Sequence, residues 1–125
     1  MSPRFVPASV TELQRVGVLA SLPGETLSRL AERMRREEIP PGTRLVGEDD
    51  DDDRFFVLIS GLAAVTQADR GASSLLRPGE TFGEVAAAMG TPRTATVTAM
   101  TTCTVASCDR ATFVELVRPL LADDA

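Results

Sequence analysis

The chain has no histidine, no tryptophan and no tyrosine, and only two cysteines in 125 residues. Each shortage removes a class of chemistry. Without histidine there is no Ser/His or Cys/His nucleophile pair, no imidazole metal site and no side chain that changes charge near neutral pH by default. Cys103 and Cys108 are five apart, so on one strand they point to opposite faces. They cannot comfortably bridge, and two thiols without histidine make a poor metal site. Their plain role is as small buried hydrophobes in a reducing compartment. No apolar run approaches the roughly 20 residues that span a bilayer. Met1-Ser2-Pro3-Arg4 lacks the apolar block of a signal peptide. No basic stripe interleaved with aromatics is present, which argues against nucleic-acid binding. The expectation is a cytoplasmic protein that is not an enzyme, carries no metal and needs no cofactor.

What is present fits one domain with a real core: 43% hydrophobic and 25% charged residues. The net charge of −5 is concentrated rather than spread. Glu48 and Asp49 to Asp53 carry six acids in a row, and the rest of the chain is close to neutral. As an EF-hand opening at Asp49, this run would need glycine at position six and glutamate at position twelve. Arg54 and Ser60 stand there, so an exposed, self-repelling hairpin loop is expected instead.

The stretch from Pro78 to Ala95 organises the rest. Turn chemistry bounds it, and Glu84 to Met89 contains good helix formers with no glycine or proline. The first amides of such a helix lack internal partners and carry partial positive charge, so a small anion can rest there. Gly83 lets that anion approach the backbone. Arg93 can fork two phosphate oxygens. Glu84, itself negative, can only accept from a hydroxyl attached to the same molecule. A phosphate joined to a hydroxyl-bearing sugar meets both demands. Taken singly, Gly-Glu is an ordinary helix start and an arginine beside a strand an ordinary surface charge; the combination carries the reading.

Phe82-Gly83-Glu84 followed by Gly90-Thr91-Pro92-Arg93-Thr94-Ala95-Thr96-Val97 resembles the phosphate-binding cassette of the cyclic nucleotide-binding domain family. That resemblance implies a mainly β fold: a jelly-roll-like β-barrel with N-terminal helices and one C-terminal helix. It implies a 3′,5′-cyclic nucleotide, cAMP or cGMP, as ligand and partner. Glu84 would hold the ribose 2′-OH, Arg93 the exocyclic phosphate oxygens, and the backbone near Phe82, Gly83, Val85, Ala86 and Ala95 the rest of the phosphate. Thr94 carries the hydroxyl associated in the family with guanine, which leaves cAMP against cGMP open. Leu75, Leu76, Phe82 and Val97 are candidate pocket apolars, with core packing as their alternative role.

Along the chain, residues 1–8 read as a frayed lead-in and 9–36 as a helical approach. Val10, Leu13, Val16 and Ala20 form a first stripe broken at Gly17; Leu27, Leu30, Ala31 and Met34 form a second. Arg29, Glu32, Arg33 and Arg36 read as that helix's solvated face. Residues 37–108 read as the barrel, with the cassette at 82–95. Phe55 to Ile59 is its central strand, and Ser60-Gly61 is expected to turn it as a hairpin into Leu62 to Gln67. Ala95, Val97 and Ala99 alternate with Thr94, Thr96 and Thr98 as a further strand. Asp109 caps a final helix over 109–121, with Phe113, Leu116, Val117 and Leu120 on one face. The family resemblance also implies a lid helix beyond this point, yet only Leu120 to Ala125 follow Pro119, and no DNA-binding, kinase or channel segment is visible. The effector, or a second chain, is unknown. Two roles remain open: a cyclic-nucleotide sensor, or an interaction module that keeps the fold without the ligand.

Overall fold

A computed structural model of the chain describes residues 5–47, 52–67, 73–90, 93 and 95–119. Among the described residues, eight strands form two four-stranded antiparallel sheets. One has the order β1-β8-β3-β6 and the other β2-β7-β4-β5. The strands are β1 Arg35–Ile39, β2 Arg44–Val46, β3 Phe55–Ser60, β4 Ala63–Thr66, β5 Ser73–Leu76, β6 Thr81–Phe82, β7 Thr96–Ala99 and β8 Cys103–Cys108. The helices are α1 Val10–Gln14, α2 Gly17–Ala20, α3 Gly24–Arg33, α4 Glu84–Met89 and α5 Arg110–Thr112, the last continued by a π-helical stretch at Phe113–Val117. This is the sandwiched, jelly-roll-like β fold with flanking helices that the sequence implies.

The two faces of β3 explain its unbroken apolar run. Phe55 and Val57 join the cluster built from Leu13, Leu19, Leu27, Leu30, Phe113 and Val117, beneath the helices. Phe56 and Leu58 face the interior between the sheets, with Val46, Ala63, Phe82 and Val97 around one and Ala99, Cys103 and Val105 around the other. A strand buried on both sides has no polar face to show. In β7 the alternation is visible, with Val97 and Ala99 buried and the threonines between them less so. Cys103 lies in the inter-sheet interior and Cys108 under the helices, on opposite faces, and both are free thiols. Burial pushes the Cys108 thiol up to about 12, which keeps it unreactive.

Several expectations change. Ser60-Gly61 does not close a hairpin: β3 and β4 belong to different sheets, so the chain crosses the sandwich there. The link from β2 to β3, which contains the acidic run, crosses in the same way. Gly61, with φ +91°, permits the sharp change, since a Cβ would fall 2.4 Å from the Thr102 carbonyl oxygen. The second helix ends at Arg33, and β1 begins at Arg35, so Arg36 lies on a strand. Arg29 and Arg33 both reach Glu115, at 3.0 and 2.7 Å, while Arg36 pairs with Glu12 at 3.1 Å. Gly17 splits the first helix, so Leu19 is buried in place of Ala20. Residues 6–8 are pinned rather than frayed: the Arg36 amide donates to the Val6 carbonyl at 2.7 Å, and Ala8 is buried. The C-terminal helix buries Phe113, Leu116 and Val117 through its π-turn. Leu120 and Glu48 to Asp51 lie outside the described residues.

The Asp109 side chain caps α5 by accepting from the Thr112 amide at 2.9 Å. That bond holds its carboxyl below the ordinary value. A depressed folded-state pKa stabilises above the unfolded value of about 3.9 and is lost as pH falls through the folded value. Asp109→Ala is expected to destabilise the chain by about 1 kcal/mol. The deficit, read by denaturant melts, should narrow as the pH drops below about 4.

Candidate functional site

Gly83 joins β6 to α4. Its φ of +87° makes the chain leave the sheet at once and start the helix. Gly90, also left-handed, ends the six-residue α4. The helix is anchored from behind, because Ala87 is fully buried under the helical layer and Arg110 Nη2 donates to the Ala88 carbonyl at 3.4 Å. The short helix is therefore fixed against the helical layer, while Gly83 and Glu84 at its start line the inter-sheet space.

There the structure has a cavity of about 240 Å³. Strands β2, β4, β5 and β7 contribute Val46, Val65, Leu76 and Val97 to its apolar wall. The cassette contributes Thr81, Phe82, Gly83, Glu84, Ala86, Arg93 and Ala95. Glu84 and Arg93, nine positions apart in sequence, thus line one space. Phe82 stacks on Phe56, with ring centroids 4.7 Å apart and planes 2° from parallel. Leu75 is 38% exposed and is not among the lining residues. Val85 places its backbone in the first turn of α4. Thr94, Thr91 and Pro92 lie outside the described residues.

Arg93 decides the chemistry. It is only 4% exposed, although a guanidinium is strongly hydrated in water. Burial draws its pKa below the ordinary value, but an arginine stays charged. Nη2 donates to the Arg54 carbonyl at 2.7 Å and reaches Asp52 Oδ1 at 3.3 Å. Nη1 makes one long contact, 3.4 Å, to the Gly83 carbonyl. Nε is buried and has no partner among the described residues. The group also lies over the Phe56 ring, 5.5 Å from its centroid. A buried cation with idle donors beside a cavity is an incomplete anion receptor. Glu84 accepts a hydrogen bond from the Thr81 hydroxyl. That bond fixes one carboxylate oxygen and leaves further acceptor capacity on the same group.

Asp52 and Arg54 were missed in the sequence. Asp52 sits in the run read as a solvated loop, yet its side chain is only 27% exposed and Arg54 grips it. Burial pushes the Asp52 carboxyl up, but hydrogen bonds and charge from Arg54, with charge from Arg93, hold it below its ordinary value. The same bond raises Arg54. The one available signal was that Arg54 directly follows the acids.

A family model for the cyclic nucleotide-binding domain matches residues 36–119. The chain belongs to that family. Among curated relatives, this cyclic nucleotide-binding domain is 36% identical to the regulatory subunit of cAMP-dependent protein kinase from Yarrowia lipolytica. The match runs over 110 residues, 87% of this chain and 29% of the relative. The chain spans less than a third of the length of that relative, and 24% of the corresponding subunit of Debaryomyces hansenii. Among solved structures, the regulatory domain of Toxoplasma gondii protein kinase A with cAMP superposes with a TM-score of 0.82 at 26% identity. It covers 91% of this domain and 45% of that chain. Among the described residues no helix is long and apolar enough to cross a membrane.

Proposed function

We propose that this domain binds a 3′,5′-cyclic nucleotide, cAMP or cGMP, in the cavity beside α4, and that it serves a regulatory protein rather than a catalytic one. The observation that carries the reading is Arg93: buried, with Nε unpartnered among the described residues, beside a cavity that Glu84 also lines. Arg93 takes an exocyclic phosphate oxygen through Nε, its idle donor. Glu84 accepts from the ribose 2′-OH. Phe82, Gly83, Ala86 and Ala95 shape the wall, with the backbone of Val85 adding to the phosphate contacts. The volume of about 240 Å³ is small for a ligand pocket and suits the sugar–phosphate end, with the base extending beyond it. The named relatives are regulatory subunits of cAMP-dependent kinases, and one of the solved neighbours holds cAMP. An effector protein that responds to the liganded state follows from that likeness.

Glu84→Gln keeps the size of the side chain and removes its charge. A hydrogen bond to a charged group contributes about 1.5–3 kcal/mol, so affinity should fall roughly 10- to 150-fold. The 2′-deoxy form of the same nucleotide should lose a similar factor against wild type, and no further factor against Glu84→Gln. Calorimetric titration of both proteins with both ligands completes this cycle. Additive losses would remove Glu84 from the ribose.

A second reading, an interaction module without ligand, draws on Asp52, which already lies 3.3 Å from Arg93. It predicts no heat from cAMP or cGMP while the chain is fully folded.

A further inference from the structure

Asp52 poses an electrostatic difficulty for an anion site. Its Oδ1 lies 3.3 Å from Nη2 of the one buried arginine among the described residues that lines the cavity. A carboxylate there competes with any incoming phosphate for the same cation. Yet the contact is long and single, and the reason is on the neighbouring side chain. Arg54 Nη2 donates to Oδ2 at 2.8 Å, and Arg54 Nε lies 3.1 Å from each carboxylate oxygen. The Arg54 amide adds a fourth bond, to Oδ1 at 3.0 Å. The Arg54 carbonyl meanwhile accepts from Arg93 Nη2 at 2.7 Å. Both guanidinium groups lie over the Phe56 ring, at 4.9 and 5.5 Å.

We propose that Arg54 is a positioning residue for the ligand. It holds Asp52 to a single long contact with Nη2 and offsets its charge, so Nε stays available to the phosphate. This rests on the cyclic-nucleotide reading above and names a residue that reading does not use. A bidentate grip fixes a carboxylate in plane and direction, which a single contact does not. Released from Arg54, the Asp52 carboxylate, already 3.3 Å from Nη2, keeps Arg93 as its remaining charged partner. The chain would then supply its own anion where the nucleotide should bind. Arg54 is 41% exposed on its side chain, so its removal leaves the buried core intact.

The test is a double-mutant cycle by calorimetric titration with cAMP and cGMP on the whole chain. Arg54→Ala is expected to weaken binding about tenfold. Asp52→Asn alone is expected to change it less than threefold, because its charge is already offset. The combined Arg54→Ala, Asp52→Asn variant should recover to within about threefold of wild type. Arg54→Lys, which keeps the charge without the fork, should fall between. Asp53→Asn in the Arg54→Ala background is the control and should not restore binding. A combined variant as weak as Arg54→Ala alone, or equal restoration by Asp53→Asn, overturns the proposal. A wild-type chain that binds neither nucleotide overturns the functional reading itself, and this inference with it. Strong wild-type binding that Arg93→Ala abolishes, together with no rescue, leaves the reading standing and sinks only the role of Arg54.

Discussion

Replacing Arg93 with alanine should remove most of the thermal stabilisation that cyclic nucleotide gives the wild-type chain. Ligand at 100 times its dissociation constant stabilises the folded state by about 2.7 kcal/mol. Truncating one member of a buried, hydrogen-bonded charge pair costs roughly 2–5 kcal/mol, or about 30- to several-thousandfold in affinity. At that concentration a roughly 30-fold loss leaves about 0.9 kcal/mol of stabilisation and a roughly thousandfold loss less than about 0.1 kcal/mol, so the melting-temperature shift should fall by roughly two thirds or more. The ligand-free variant should still melt cooperatively. Asp52 keeps its bonds from Arg54, and the loss of Arg93 removes a buried group with an idle donor. Arg93→Lys should recover little, since an ammonium carries the charge without the fork. Equal ligand-dependent shifts in wild type and Arg93→Ala would show that the phosphate sits elsewhere.

The second large effect is expected at Gly83. Its φ of +87° is a conformation that side chains rarely adopt, and a Cβ there would lie 2.6 Å from Arg93 Nη1 and 2.7 Å from the Arg54 carbonyl oxygen. A residue held in such a region costs about 1–3 kcal/mol before any clash is counted. The backbone oxygen cannot move cheaply, so the guanidinium must. Gly83→Ala should therefore lower stability by roughly 2–3 kcal/mol and, separately, weaken nucleotide binding about 100-fold as Arg93 is displaced. Gly79 is the matched control. Its φ is +92°, and the nearest atom to a Cβ is the Arg15 carbonyl oxygen at 3.2 Å, outside the cavity lining. Gly79→Ala should cost stability while leaving affinity near wild type. If both glycine variants bind equally well, Gly83 acts on the fold alone.

These predictions rest on parts of the chain that differ in how openly the sequence declared them. Local features were readable. Turn glycines on both sides of Glu84 to Met89 marked a short helix, the threonine alternation marked β7, and Asp109 marked a helix start, because each depends on residues within a few positions. The crossing at Ser60-Gly61 was not readable. A two-residue turn between apolar runs looks the same whether the second strand pairs with the first or enters the opposite sheet. Strand β1, Arg35–Ile39, carries mostly charged residues and shows no alternation to identify it. Its pairing with β8 is what makes it a strand.

The candidate site divides the same way. Glu84 and Arg93 could be named together because a single segment holds both. Asp52 and Arg54 reach Arg93 across 41 and 39 positions, a closeness created only by β3 pairing with β6. Five consecutive aspartates also concealed the one that matters, since residue type alone does not tell a solvated acid from a gripped one. The fold itself is shared across the cyclic nucleotide-binding domain family. A fold held in common does not choose a ligand. The choice falls to the side chains in the cavity.

The most direct measurement is the proton–nitrogen resonance of Arg93 Nε, assigned by its loss in Arg93→Lys and followed as cAMP or cGMP is added. If the phosphate completes this guanidinium, the signal moves downfield and its exchange with water slows as the site fills. A nucleotide that binds to saturation while that resonance keeps its ligand-free position and exchange rate would contradict the account.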